Sequence, residues 1–111
     1  MRVLNDDWIE GGTGFDLHPH KNMEVISIPL KGDLEHQDSL KHKDTIKEGE
    51  IQVMSAGTGI MHSEYNRNDD RPTEFLQIWV FPNKQNVAPR YENAVISDLI
   101  RKNEICEIVS P

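Results

Sequence analysis

The 111-residue sequence has little cysteine, no long apolar run and a deficit of positive charge. Its one cysteine, Cys106, excludes a disulfide within the chain and is typical of a reducing compartment. No apolar run approaches the roughly 20 residues that a membrane-spanning helix needs. The N-terminal residues MRVLNDDWIE lack the basic and apolar regions of a signal peptide. We therefore expect a cytoplasmic protein that does not enter a membrane.

The charge balance of the chain argues against nucleic acid as a partner. Twelve Lys and Arg residues stand against 19 Asp and Glu residues, which gives a formal net charge of −7. A chain this acidic repels phosphate backbones, and no basic cluster interrupts the pattern. We therefore expect no direct binding to nucleic acid. The length is typical of a single domain, and the mixture of 36% hydrophobic and 28% charged residues is that of a foldable chain.

Short segments rich in Val, Ile, Trp and Phe alternate with turn residues along most of the chain. The clearest segments are Met23–Leu30, Ile51–Ser55 and Glu74–Phe81. Short strands separated by frequent turns predict an all-β sandwich or barrel. The stretch 93–102 (NAVISDLIRK) is the one place with helical spacing, which predicts a short helix there. Residues 104–110 again resemble a strand.

Two short histidine motifs are the chemically distinctive features of the sequence. His18 and His20 are separated by one proline, and His62 and Glu64 by one serine, with glycines shortly before each pair. Because side chains alternate along a strand, the two members of each pair point to the same side. Two such pairs on neighbouring strands would converge. The sequence therefore predicts a metal site.

The identity of the carboxylate ligand is left open by this alternation. If the strand of His18 and His20 continues, its inward side also includes Asn22 and Glu24, followed by apolar Ile26. Glu24 and Glu64 are then both candidate ligands. Three imidazoles and one carboxylate suit a first-row divalent metal such as Fe, Mn, Ni, Co or Zn better than Ca or Mg.

The motifs resemble those of a known family. The cupin pattern G-x5-H-x-H-x3-E, followed by G-x2-H-x3-N, is matched by Gly12, His18, His20 and Glu24, and then by Gly59, His62 and Asn66. Longer segments resemble pirins, and among them bacterial pirin-like proteins described as quercetin 2,3-dioxygenases. These segments are HPH at 18–20, EHQDS at 35–39, SAGTGIMHSE at 55–64 and QIW at 77–79. The resemblance extends over nearly all of residues 2–92 and implies a jelly-roll barrel.

The resemblance also implies a ligand set. Pirins hold their metal with three histidines and one glutamate, which correspond here to His18, His20, His62 and Glu64. Glu24 would then be a neighbouring or structural carboxylate. Iron is the first candidate for the metal, and Mn, Ni, Co, Zn and Cu also suit the site. We expect His36 to make structural hydrogen bonds.

The positions of the remaining histidine, and of several aromatic residues and methionines, can also be predicted. We expect His42, in the charged stretch KHKD, to be solvated, and Trp79 and Phe81 to lie in the core. Phe15, Met54 and Met61 are candidates for the mouth of the site.

The resemblance implies three alternative functions. The first is a dioxygenase that opens a flavonol ring with O2 and releases carbon monoxide, with Glu64 as the base for the hydroxyl proton. The second is a non-enzymatic module whose binding to a protein partner depends on the metal. The third is an inactive remnant. Full pirins resemble two cupin domains in tandem, whereas residues 1–111 correspond to the N-terminal domain alone. Since an uncovered domain exposes strand edges and apolar surface, we expect a homodimer.

Overall fold

The computed structural model describes residues 1–110, and that part of the chain contains nine β-strands and no helix. No segment of it is therefore a helix that could cross a membrane. The all-β prediction is confirmed. The strands are β1 Val3–Ile9, β2 Gly14–His20, β3 Glu24–Lys31, β4 Leu34–Asp38, β5 Lys43–Ile46, β6 Glu50–Ser55, β7 Ile60–Tyr65, β8 Thr73–Val80 and β9 Arg90–Val95.

The strands form two antiparallel sheets. The five-stranded sheet has the order β1-β8-β3-β6-β9, and the four-stranded sheet has the order β2-β7-β4-β5. Most neighbours within a sheet are distant in sequence, as in the predicted jelly-roll barrel. The sheets face each other: Ile9 on β1 and Phe75 on β8 form one buried cluster with Leu34 on β4, from the opposite sheet. The two histidine motifs occupy adjacent strands, β2 and β7, of the smaller sheet.

The core lies between the sheets and follows the two-residue period of the strands. On β8, Phe75 and Gln77 are buried while Leu76 and Ile78 are partly exposed. A second apolar cluster includes Ile60, which lies opposite His20 on the neighbouring strand. Its other members are Met23, Val25, Met54 and Ala56, with Trp79 packed against them. One face of each central strand is thus buried, as expected for a two-layer β fold.

The short helix predicted over 93–102 is wrong. Residues Arg90–Val95 form β9, which pairs with β6 from Glu50↔Val95 to Ser55↔Arg90. A turn follows, in which the backbone N–H of Leu99 donates to the carbonyl of Ile96 at 2.9 Å. Pairing with the free edge of β6 satisfies the backbone groups of this segment, and it outweighs a weak helical pattern. Residues 104–110 form no strand.

The predicted continuity of one strand from His18 to Ile26 is also wrong. β2 ends at His20, and Asn22 adopts a left-handed conformation with φ of 49°. The chain then crosses to the other sheet, where Val25 is buried and Glu24 and Ile26 are only partly so. The turn at Asn22 therefore breaks the alternation on which the candidacy of Glu24 was based.

Several large apolar side chains are exposed on the five-stranded sheet and beside it. Leu4, Trp8, Leu30 and Phe81 are each about half exposed or more. Phe81 was expected in the core, and that expectation is wrong because β8 ends at Val80, before it. The exposed apolar surface is in keeping with the homodimer expected from the sequence, which stays a prediction.

Two leucines provide a matched test of the core. Leu34 is 0% exposed, whereas Leu4 is 57% exposed. We expect Leu34→Ala to lower the free energy of unfolding by about 2–5 kcal/mol, because it removes a fully buried side chain and leaves a cavity. Leu4→Ala should change it by about 0.5 kcal/mol or less. Urea denaturation of both variants measures the difference, and equal losses would contradict the assigned core.

Candidate metal centre

A β-bulge on β2 determines the direction of its first histidine. Phe15 lies opposite Glu64 on β7, and His18 lies opposite His62, so three residue steps on β2 match two on β7. One extra residue in a strand reverses the sides to which the following side chains point. His18 therefore lies on the same face as His62, whereas Leu17 is exposed.

Three imidazoles meet inside the barrel. The candidate ligand nitrogens of His18, His20 and His62 all lie within 4.8 Å of one another. The ring centroids are 4.4 Å apart for His18 and His62, 4.8 Å for His20 and His62, and 5.1 Å for His18 and His20. His20 and His62 are buried, and His18 is partly exposed. The structure thus brings together the three histidines that the sequence singled out.

The hydrogen-bonding of the three rings fits a bound metal. The Nε2 atoms of His20 and His62 are buried and have no hydrogen-bond partner in the described part of the chain. The Nδ1 atom of His18 lies 2.7 Å from the carbonyl oxygen of Asp16, to which it must donate, so its Nε2 keeps a free lone pair. A buried polar atom without a partner costs about 1–3 kcal/mol. A divalent metal bound by these imidazoles would remove that cost.

The electrostatic surroundings keep the buried rings neutral. Burial, together with the neighbouring His18, lowers the pKa of His20 to about 4. Burial, together with the other histidines nearby, lowers the pKa of His62 to about 2. Metal binding requires the neutral imidazole. Both rings are therefore in the ligand form at neutral pH.

Glu64 lies two residues after His62 on the same face of β7 and is buried. The Gln77 amide donates to both of its carboxylate oxygens, at 2.8 and 3.0 Å, and the Ser27 hydroxyl donates at 3.4 Å. Burial raises the pKa of Glu64, while the hydrogen bond from Gln77 and the neighbouring His18 oppose the rise. Its carboxylate lies outside the 4.8 Å group of nitrogens. Its role as a fourth ligand stays a prediction.

Glu24 occupies a different environment. It lies on the outer face of β3, where its carboxylate accepts a hydrogen bond of 2.5 Å from the Ser55 hydroxyl. It lines a separate surface cavity together with Ile26 and Val53. Of the two candidate carboxylates, Glu64 is the one on the inner face with the histidines.

A cleft of about 590 Å³ opens beside the histidines, between the edge strands β1 and β2 of the two sheets. Its lining includes Asn5, Asp7, Phe15, His18, Glu64, Gln77 and Trp79. The Trp79 ring meets His20 edge-on, with centroids 5.0 Å apart, and its indole N–H donates to the Gln77 side chain at 3.0 Å. The cleft thus combines polar groups with two aromatic side chains.

The structure tests the predicted places of two aromatic residues and one methionine. Phe15 lines the cleft, as expected. Trp79 packs against the core but also forms a wall of the cleft. Met54 is fully buried, so its expected place at the mouth of the site is wrong.

A polar cluster behind His62 was not anticipated as a unit. His36 is fully buried and hydrogen-bonds Asp38 at 2.9 Å, in the structural role that we expected. His42 was expected to be solvated, and that expectation is wrong. Its Nδ1 atom lies 2.9 Å from Oδ2 of Asp38, and its ring stacks on Tyr91. The sequence signal for this cluster is the spacing of His36, Asp38 and His42. The register of β4 against β7 brings this cluster next to His62.

The two sheets and the buried histidine triad define a cupin-like barrel with a candidate metal site. Comparisons with known proteins support this class of fold. The pirin family model matches residues 1–80, and the chain belongs to the pirin family.

The quercetin 2,3-dioxygenase of Escherichia coli K12 is 51% identical over 92 residues, which make up 83% of this chain and 40% of that protein. The bacterial pirin YhhW from E. coli, solved in complex with nickel(II), is 49% identical with a TM-score of 0.83, covering 86% of this chain and 41% of that one. A quercetin 2,3-dioxygenase from Acinetobacter baumannii is 28% identical with a TM-score of 0.73, over 90% and 36% of the two chains. This chain thus spans about 40% of the length of such relatives.

The buried imidazoles predict an acid-sensitive fold in the metal-free protein. As the pH falls from 6.5 toward 4.5, the histidines of the unfolded chain bind protons. In the folded chain, burial lowers the pKa of His20, His36 and His62 and keeps these rings neutral, so unfolding takes up protons. The raised pKa of Glu64, caused by its burial, works in the opposite direction, because the folded carboxyl binds its proton at a higher pH than the unfolded one. Stability should therefore decrease as the pH falls through this window.

Urea denaturation of the metal-free protein at pH 7, 6 and 5 measures this slope. We expect the slope to be shallower in His20→Asn, which cannot take up the proton. Stability that increases toward pH 5, or an identical slope in the variant, would contradict the assigned burial of neutral imidazoles.

Proposed function

We propose that this chain forms the metal-binding site of an O2-dependent flavonol dioxygenase. The observation that supports the proposal most directly is the pair of buried Nε2 atoms on His20 and His62, beside His18. Neither atom has a hydrogen-bond partner among residues 1–110. The names of the relatives support the reaction type. The chain spans about 40% of the length of the E. coli relative.

His18, His20 and His62 would hold one divalent transition metal, with Glu64 as the proposed fourth ligand. Iron is our first candidate, and Mn, Ni, Co, Zn or Cu also suit imidazole and carboxylate donors. The nickel(II) complex of YhhW is in keeping with a first-row metal in this family. A bound metal would polarise a substrate oxygen and supply the redox chemistry that dioxygen requires.

Glu64 is the proposed base for the hydroxyl proton of the substrate. Its two oxygens are oriented by the Gln77 amide and the Ser27 hydroxyl. Burial raises its pKa, which makes the carboxylate a stronger base than an exposed one. Gln77 is itself held by the Trp79 indole. A chain of three side chains from the five-stranded sheet thus fixes the carboxylate that the four-stranded sheet provides.

The cleft suits a flat aromatic substrate. Its volume of about 590 Å³ lies within the roughly 300–1,000 Å³ typical of small-molecule sites. Phe15 on β2 and Trp79 on β8 both line the cleft and offer aromatic surface to such a substrate. Asn5 and Asp7 supply polar groups for the hydroxyls of a flavonol.

The proposed setting of the protein follows from its composition. A cytoplasmic location, and the absence of direct contact with nucleic acid, are supported by the single cysteine and the net charge of −7. The assignment of residues 1–111 to one N-terminal pirin-like domain belongs to the same proposal.

Oxygen uptake with quercetin tests the activity. The protein is loaded with Fe²⁺, Mn²⁺ or Ni²⁺ in separate samples, and O2 consumption and carbon monoxide release are followed. We expect both with the wild type, and neither with His62→Ala, which should also lose its equivalent of metal. Absence of turnover by the metal-loaded wild type would contradict the enzymatic proposal and leave the metal-dependent regulatory module or the inactive remnant.

The two glutamates provide a matched comparison in the same assay. Glu64→Gln at saturating metal should lower the rate by about 10²–10⁴-fold, because the base is lost. Glu24→Gln should retain the rate within about twofold, because this carboxylate lies on the outer face of β3. The reverse order would contradict the assignment of Glu64.

A further inference from the structure

A buried chain of hydrogen bonds leads from His62 on β7 to the neighbouring strand β4 of the same sheet. The Nδ1 atom of His62 lies 3.3 Å from Nδ1 of His36, and Nε2 of His36 lies 2.9 Å from Oδ2 of Asp38. The side chains of His36 and Asp38 are fully buried. The pairing of β4 with β7, with Asp38 opposite His62 and His36 opposite Glu64, brings these groups together.

The order of protons along this chain follows from its acidic end. An ionised carboxylate can only accept, so the ring proton of a neutral His36 must lie on Nε2. Nδ1 of His36 is then an acceptor, and His62 must donate to it from its own Nδ1. A neutral imidazole has only one N–H, so Nε2 of His62 keeps its lone pair. That Nε2 is the buried atom beside His18 and His20 for which the described residues offer no hydrogen-bond partner.

Further contacts hold Asp38 in place. Its Oδ1 accepts the backbone N–H groups of Leu40 at 2.9 Å and His42 at 3.1 Å. Its Oδ2 also accepts from Nδ1 of His42 at 2.9 Å. From the opposite sheet, the Tyr91 ring stacks on His36 with centroids 4.6 Å apart and on His42 at 4.9 Å. The hydrogen bonds to Oδ1 hold the carboxylate with Oδ2 as the acceptor toward His36, and the stacking on Tyr91 holds the two imidazole rings.

We propose that Asp38 and His36 are positioning residues for the metal centre, which hold His62 in the tautomer with Nδ1 protonated and aim its Nε2 at the metal. The proposal rests on the metal site proposed above. Partners of this kind commonly orient metal-binding histidines, and their loss typically lowers metal affinity 10–100-fold. Here the partner is a second histidine, so the carboxylate acts on the ligand through one intervening ring.

The tautomer of His62 in the metal-free wild-type protein is the first test. Long-range ¹H–¹⁵N spectra at pH 7 distinguish a protonated Nδ1 from a protonated Nε2. We expect His62 protonated at Nδ1 and His36 protonated at Nε2. A proton on Nε2 of His62 would overturn the proposal, whether or not the protein later proves to bind metal or to be an enzyme.

Asp38→Asn is the second test, because an amide N–H facing His36 reverses the direction of every donor in the chain. We expect Nε2 of His62 to become protonated and the affinity for Ni²⁺, measured against a chromophoric chelator, to fall about 10–100-fold. His42→Asn is the control, since it also alters a partner of Asp38 but lies outside the path to His62, and its affinity should stay within about threefold.

Circular dichroism establishes that both variants are folded before affinity is compared. A folded Asp38→Asn protein with wild-type affinity and an unchanged His62 tautomer would overturn the proposal. If this variant does not fold, the spectra of the wild type decide alone, because they need no substitution.

Discussion

The register between β2 and β7 is the constraint on which the rest of the site depends. His18 faces His62 only because one extra residue is accommodated between Phe15 and His18. A slip of one residue would turn the side chains of β2 to the opposite face. The same bulge places the carbonyl of Asp16 where it fixes the ring of His18. A single local irregularity thus determines both the direction and the tautomer of one candidate ligand.

The interior of the barrel contains many buried polar side chains. Buried Ser27, His36, Gln52, His62 and Gln77 occupy positions that apolar side chains would fill in an ordinary core. Glu64 is buried among them, and its carboxylate receives hydrogen bonds from Gln77 and Ser27. Polar groups at core positions that lower local stability are typical of functional sites. The apolar clusters around Phe75 and Met54 provide the stability that this layer lacks.

Much of the site could be predicted because its signals are local. His18 with His20, and His62 with Glu64, are spaced at the two-residue period of a strand, and the strand length and neighbouring glycines are visible in sequence. Gln77 was also within reach, because the alternation of EFLQIWVF places it on the same face as the buried Phe75.

The remaining features depend on partners distant in the chain. The turn at Asn22, which removes Glu24 from the site, reflects a crossing between sheets that no local pattern shows. The pairing of β9 with β6 gave a strand where the spacing of 93–102 favoured a helix. The link from Asp38 through His36 to His62 exists only in the register of β4 against β7. These are consequences of tertiary pairing, which overrides local preference.

The most direct test of the central claim is X-ray absorption at the metal edge of the protein loaded with one equivalent of Ni²⁺. Imidazole rings produce characteristic multiple scattering, so the number of histidine ligands can be counted. If His18, His20 and His62 form the centre, the spectrum will show about three imidazoles, and the His62→Ala variant will retain no equivalent of metal with this coordination. A coordination shell of oxygen ligands without imidazole, or the absence of a bound equivalent, would contradict the account.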